Sequence, residues 1–415
     1  MRSARTEAAV SLKLASAAGF GQAARRNALA GTAVKVQQLK HEFLFGCGAF
    51  DVLAAASPFP GADRAFLDER AEKWFALFNF GTLPFYWGNF EPEEGKPRTE
   101  MLLAAARMMK DHGVTAKGHP LCWHTVCADW LLKYDTDTIL KKQLARITRD
   151  VTDFKGTIDI WDAINEVVIM PNFDKYDNAV TRLCRKFGRS GLVKDVFNAA
   201  REANPGGIFL INDFNTTVAY EVLIDCLLDA GVPIDAIGIQ SHQHQGYWGK
   251  EKIEDVLERF SRFGLPLHFT ENTIISGSPI PPEIEDLNDW QVKDWPSTPE
   301  YEARQAEQLE EMYRTLFAHP QVQAITGWDF TDGAWLNAPS GLLRKDNSEK
   351  PAYTMLKNLI RKEWWTDCTV TTDEQGYAEV HGFKGTYRLQ AGTASAQFVL
   401  ADGSTQDTVV LEENT

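Results

Sequence analysis

The sequence predicts an α/β protein, a (β/α)8 TIM barrel with a small accessory β-domain built from its N- and C-terminal segments. Three observations predict it. From residue 41 onward, short apolar runs alternate with amphipathic helical patterns. Polar residues gather at the C-terminal ends of those runs. Both ends of the chain switch to an alternation of period two.

In chain order the runs are EFLFGCGAF (42–50), FNFGTLPFY (78–86), TAKGHPLCW (115–123) and IDIWDAINE (158–166). IFLINDFN (208–215), AIGIQSHQH (236–244), LHFTENT (267–273) and AITGWDFTD (324–332) follow. Between them lie helical patterns such as TEMLLAAARMMKDHG, DTILKKQLARITRDVTDF and KIEDVLERFSRFG. Several close on Gly or Asn-Pro, which stop helices. Strand-like runs alternating with helices imply parallel βαβ units, and this number of them favours a closed barrel over an open doubly wound sheet. No G-x-G-x-x-G follows the first run and no P-loop is present, so dinucleotide and nucleotide readings are weak.

The termini read differently. AVSLKLA (9–15), AVKVQQL (33–39) and, after residue 365, CTVTT, YAEVHGF, TYRLQ, AQFVLA and DTVVLEE alternate like antiparallel strands. The expected division is 1–40 and 363–415 for the accessory β-domain and 41–362 for the barrel. A structural cap is the expected role. A carbohydrate-binding module is the alternative, given Tyr377, Phe383, Tyr387 and Phe398.

Composition narrows the function. With a net charge of −14 and no Lys/Arg run, a surface that tracks nucleic-acid phosphates is not expected. No run of about 18 apolar residues spans a membrane. The segment MRSARTEAAVSLKLASAAG lacks an apolar core and makes a poor secretory signal, which leaves the compartment open, secreted or periplasmic included. The six cysteines contain no C-x-x-C pair, and His242 and His244 lack a third ligand, so no metal and no cofactor are expected. Twelve tryptophans suggest stacking platforms for a ligand with apolar faces.

The segment IWDAINEVV (160–168) is an apolar run that nevertheless carries Asp162, Asn165 and Glu166. In a barrel the C-terminal rim bears the working groups, so Asn165 and Glu166 would emerge where a polar group is useful. Glu271 ends a second run. On strands four and seven the two glutamates would face one another across the mouth. Paired carboxylates there suit glycoside hydrolysis.

At these residues the sequence resembles glycoside hydrolase family 10, the retaining endo-β-1,4-xylanase family. The resemblance rests on GHPLCWH (118–124), WDAINE (161–166), INDFN (211–215), IQSHQH (239–244), FTE (269–271) and GWDFTDGAWL…GLLRKDNSEKPAY (327–353), in the family's order. It implies Glu166 as acid/base and Glu271 as nucleophile, with carboxyl groups about 5–5.5 Å apart. It also implies Asn165 on the sugar 2-OH, His119 and Trp123 lining the sugar ring, Gln240 and His242 flanking the nucleophile, and Trp328 and Trp335 as apolar walls. Trp161 and His124 are expected to be structural.

Two departures stand out. The second run, TLPFYWGNFEPEEG (82–95), lacks the family's Glu-Asn pair and has Tyr86 where a Lys precedes Trp. An aromatic wall of Pro84, Phe85, Tyr86 and Trp87 is expected there, with Tyr86 and Trp87 touching substrate. In TENT (270–273), Thr273 stands where the family has an Asp supporting the histidine. The expected function is cleavage of β-1,4-xylosidic linkages in xylan or xylo-oligosaccharides by a monomer whose partner is an oligo- or polysaccharide. The alternatives are the same mechanism on a different or decorated β-glycoside (exo-acting, or on an aryl glycoside or glucoside) and a barrel that binds carbohydrate without cleaving it.

Overall fold

The computed structural model describes residues 8–16, 30–401 and 409–413; Asp407 and Thr408 of the expected last strand lie outside them. Two strands come first, β1 (Ala8–Ser16) and β2 (Ala33–His41). Then follow β3 (Leu44–Gly48), β4 (Phe80–Pro84), β5 (Thr115–His119), β6 (Ile158–Asn165), β7 (Ile208–Asp213), β8 (Ala236–His242), β9 (Leu267–Thr273) and β10 (Val322–Gly327). The last five are β11 (Asp367–Thr371), β12 (Tyr377–Gly382), β13 (Gly385–Ala391), β14 (Ala394–Leu400) and β15 (Val409–Glu413).

Strands β3 to β10 form a closed barrel in sequence order. Consecutive strands from β3 to β10 pair in parallel. Helices between them carry apolar stripes against the sheet: Ile139, Ile147, Val151 and Phe154 are buried on one, Ile253, Val256, Leu257 and Phe260 on another. Asp135, Asn178 and Thr217 accept backbone N–H bonds at three helix starts and fix where the rim loops end.

Two glycines make room for the interior. A Cβ on Gly118 would lie 2.1 Å from the Trp161 ring, and one on Gly238 would lie 2.4 Å from Asn212 Oδ1. The second matters for the site, because Asn212 needs that space to stand inside the barrel. The β6–β7 register shifts between Asp162 and Ile164. Strict alternation would put Asp162 and Asn165 on opposite faces. The irregularity lets both side chains bond to other residues of the strand ends.

The remaining strands form a separate seven-stranded sheet, ordered β11-β2-β13-β14-β15-β1-β12, which joins both ends of the chain. Its apolar face is an ordinary core of Val34, Val36, Val380, Leu389, Tyr387 and Phe398. The Tyr387 and Phe398 rings stack at 5.1 Å, so two of the four tail aromatics are spent on packing. The chain divides into two compact units, Met1–Leu44 with Ala318–Pro320 and Met355–Thr415, and Phe45–Phe317 with Gln321–Thr354.

Candidate active site

Glu166 is the first residue past β6, and its backbone is left-handed, with φ of +57°. That conformation is strained for a residue with a side chain and persists only where neighbours over-determine it. Here they do. Asn165 N–H donates to Cys122 O (2.9 Å) and Glu166 N–H to Asn212 O (2.8 Å). Val168 N–H donates to the Asp213 carboxylate (3.0 Å), and Arg189 Nη2 donates to Val168 O (2.6 Å). The turn is nailed from three neighbouring segments, and the Glu166 carboxyl is aimed inward.

Its oxygens receive Trp123 Nε1–H at 2.8 Å, Asn165 Nδ2–H at 3.2 Å and Gln240 Nε2–H at 3.3 Å. Burial pushes this carboxyl up to about 8. The charges of Glu271 and Asp213 add to the shift, while the Trp123 and Gln240 bonds oppose it.

Glu271 lies on β9 and is 4% exposed. Asn212 Nδ2–H donates to its Oε1 at 2.8 Å, and His242 Nε2 stands 3.2 Å from its Oε2. His119 Nε2 is 3.9 Å from Oε1. Burial acts to raise this group, but the charges of His119 and His242 outweigh it and hold Glu271 below the ordinary carboxylate value.

One amide pair ties the two glutamates together. Asn212 Nδ2 also donates to Asn165 Oδ1 at 2.8 Å, Gln240 Nε2 reaches the same oxygen at 3.0 Å, and Thr270 Oγ1–H fixes the other end of Asn212 at 2.6 Å. The path Glu166–Asn165–Asn212–Glu271 is therefore hydrogen-bonded throughout.

The expected residues fall into place unevenly. His119, Trp123, Asn165, Gln240 and His242 all stand beside one or both glutamates. Trp328 faces the His119 ring at 5.4 Å, and Trp335 lies 4.6 Å from the His242 ring. Tyr86 sits among them, its ring 5.5 Å from Trp123 and 5.9 Å from His119. Burial first, then the charges of Glu271 and Glu166, push its phenol well above the ordinary value.

Trp87 is a correction. It is buried, donates to Glu91 Oε2 at 3.1 Å and lies under the Arg146 guanidinium at 4.8 Å. Phe85 is likewise core, against Phe154 and Trp161. The expected aromatic wall reduces to Tyr86, because Trp87 opens a short helix that turns its ring toward Arg146. Thr273 behaves as its position suggests, its hydroxyl 2.8 Å from His242 Nδ1. Trp161 and His124 are buried, the latter against Phe173 at 4.5 Å.

Sequence reasoning left out the support behind His119. Asp162 Oδ2 meets His119 Nδ1 at 2.7 Å and Lys117 Nζ at 2.6 Å, all three buried. Burial acts to raise the Asp162 carboxyl, but Lys117 and His119 prevail and hold it low. A lysine inside an apolar run, two residues before a histidine, was the available signal. Asn212, which bonds Asn165 and Glu271, was visible as a polar strand-end residue within INDFN, with no role attached to it.

Such a pair of carboxyls, one holding its proton and one ionised, can donate a proton and attack an electrophilic carbon in the same cleft. Comparison with known proteins agrees with the fold. The chain is 26% identical over 297 residues to an endo-1,4-beta-xylanase/feruloyl esterase of Xylanibacter ruminicola, covering 66% of this chain and 40% of that protein. It is 26% identical over 287 residues to the anti-sigma-I factor RsgI6 of Acetivibrio thermocellus, covering 68% of this chain and 33% of that protein. It thus spans well under two thirds of the length of these two relatives. An endo-1,4-beta-xylanase of Geobacillus stearothermophilus is 26% identical over 294 residues and 85% covered. Native xylanase 10B from Thermotoga maritima shares the fold at a TM-score of 0.62 and 22% identity, over 78% of this chain and 96% of that one. Residues 85–359 match the profile of glycosyl hydrolase family 10, and with that the chain belongs to the family.

Proposed function

We propose that the protein is a retaining glycoside hydrolase that cleaves β-1,4-xylosidic linkages, with Glu166 as acid/base and Glu271 as nucleophile. The observation that carries this reading is the opposite proton affinity of two carboxyls joined through Asn165 and Asn212.

In the first step a Glu271 oxygen forms a bond to the anomeric carbon as the bond to the leaving oxygen breaks. Glu166 gives its proton to that oxygen. In the second step water attacks the same carbon, Glu166 takes the water's proton, and the Glu271 carboxylate leaves. The charge of Glu271 is one cause that holds the Glu166 proton on, and it vanishes when the ester forms. Glu166 then becomes the better base that the second step requires. Asn165, already bonded to Glu166, would turn an amide toward the sugar 2-OH, a contact that strengthens as positive charge grows on the ring.

Tyr86 favours a second reading of the substrate. A phenol ring packed against Trp123 and His119 narrows the room for neighbouring sugars and suits a different or decorated β-glycoside with the same mechanism. A non-catalytic barrel would have no use for carboxyls held in opposite states.

Hydrolysis of an aryl β-xylobioside, followed by NMR of the newly released sugar, tests the proposal. The β-anomer should appear first. A 2-fluoro analogue should leave a stable ester on the peptide carrying Glu271. First appearance of the α-anomer, or no turnover on any β-xyloside, would end this reading.

A further inference from the structure

Two excursions leave the rim from the strands that carry the glutamates. One runs through 167–178 after β6 and the other through 274–298 after β9. The second is a small lobe that shares an apolar core with the segment after β10. Ile275, Ile280 and Trp295 form this core with Ala338 of that segment, and Trp290 and Leu287 pack against them. Its ends are drawn together by Ser276 and Ser297, whose hydroxyls lie 2.7 Å apart.

From β9 the lobe passes over the end of β8, where Gln245 Nε2–H donates to Pro281 O (3.1 Å) and Ile284 O (2.8 Å). It then reaches the β6 excursion. Lys175 Nζ binds Asp286 at 2.6 Å and both oxygens of Asp289 at 2.8 Å. The receiving segment is itself anchored, with Arg185 donating to Pro171 O and Phe173 O and the Phe173 ring against His124. The feet of this bridge are the two glutamates' own strands. A substrate chain leaving the pair over β7 and β8 would have to pass beneath it.

We propose that this bridge closes the site on the β7–β8 side. Resting on the function proposed above, it restricts the enzyme to the ends of short β-linked oligosaccharides instead of interior bonds of a polymer. A polymer cleaved internally needs both exits open; an oligosaccharide end needs one. The two excursions meet at the ion pairs of Lys175 with Asp286 and Asp289, so reversing the charge of Lys175 loosens the closure.

The test compares wild-type protein, Lys175→Glu, and the charge swap in which Lys175→Glu is combined with D286K and D289K. Viscosity loss of soluble xylan per reducing end released is measured, alongside turnover of an aryl β-xylobioside. Wild type should release reducing ends with little viscosity loss. Lys175→Glu should raise the viscosity loss per bond about three- to fivefold, the order that an exposed charge pair governs, with aryl glycoside turnover within about twofold. The charge swap should restore the wild-type ratio, which a merely misfolded lobe would not. Steep viscosity loss by wild type, or an unchanged ratio in Lys175→Glu, overturns the bridge and leaves the hydrolase reading standing. Turnover of neither substrate by wild type brings both down.

Discussion

The ends of β6 and β9 present the same side chain in opposite surroundings. Glu166 sits on a strained turn among an indole, two amides and the negative charges of Glu271 and Asp213, with no cation bonded to it. Glu271 sits within β9, beside a register shift against β8, between two imidazoles and an amide. Burial is common to both, so burial alone does not decide which carboxyl keeps its proton. The sign of the neighbouring charges does.

The largest expected effect comes from removing each carboxyl in turn. With Glu271 as the proposed nucleophile, Glu271→Ala should lower kcat on the order of 10⁴-fold on every substrate. Added azide should restore part of it with inverted product. Glu166→Ala should cost roughly 10²–10⁴-fold on oligosaccharides, whose leaving oxygen needs a proton. It should cost far less in the first step on a glycoside of an acidic phenol. Equal losses on both substrates would erase the distinction between the two sites.

The pH profile sharpens it. Activity should fall on the alkaline side near pH 8 as Glu166 loses its proton. It should fall on the acid side below the ordinary carboxylate range as Glu271 gains one. Trp123 stabilises the charged form of Glu166 with one N–H bond, so Trp123→Phe should move the alkaline limb up by about one pH unit and leave the acid limb in place. Thr273→Asp should do the reverse. A carboxylate at His242 Nδ1 would favour positive charge on the ring beside Glu271, and the acid limb should move down by ~0.5 unit. Movement of the wrong limb in either variant would show that the surroundings have been misassigned.

These surroundings were partly legible. The barrel could be read because each strand is an apolar run bounded by a helical period. Glu166 and Glu271 could be singled out because two apolar runs each end in a carboxyl, a pairing that a lone capping carboxylate does not explain. Direction was harder. Tyr86 and Trp87 are adjacent and equally aromatic, and only the short helix begun at Trp87 sends one ring to Trp123 and His119 and the other to Arg146. The Asp162–Lys117 pair and the Lys175 bridge join positions 45 and 111–114 residues apart in the sequence, and no local period encodes such a meeting. Asn212 was hidden for a subtler reason. Its place depends on Gly238 lacking a side chain, a condition on a neighbouring strand.

The smallest effect is on stability, and it carries the comparison into folding. Glu166 holds its proton to about pH 8 in the folded chain, against an ordinary value of 4.5. Between those values the folded state binds a proton that the unfolded state has released. Stability from this group is therefore fully present below pH 4.5 and declines as pH rises through 8. Glu271 has the opposite sign: its contribution is present above the ordinary carboxylate value and declines as pH falls through its lowered one. Glu166→Gln removes the ionisation while keeping the volume, and it should raise Tm by ~3 °C at pH 8 with little change at pH 4.5. Glu271→Gln should lower Tm at pH 8, because the histidines lose the carboxylate they face. Calorimetry of both variants at the two pH values checks the pair of signs. A variant at Glu166 that is no more stable than wild type at pH 8 would mean that the folded barrel accepts a second negative charge beside Glu271 without penalty, and the division of labour between the two carboxyls would lose its physical cause.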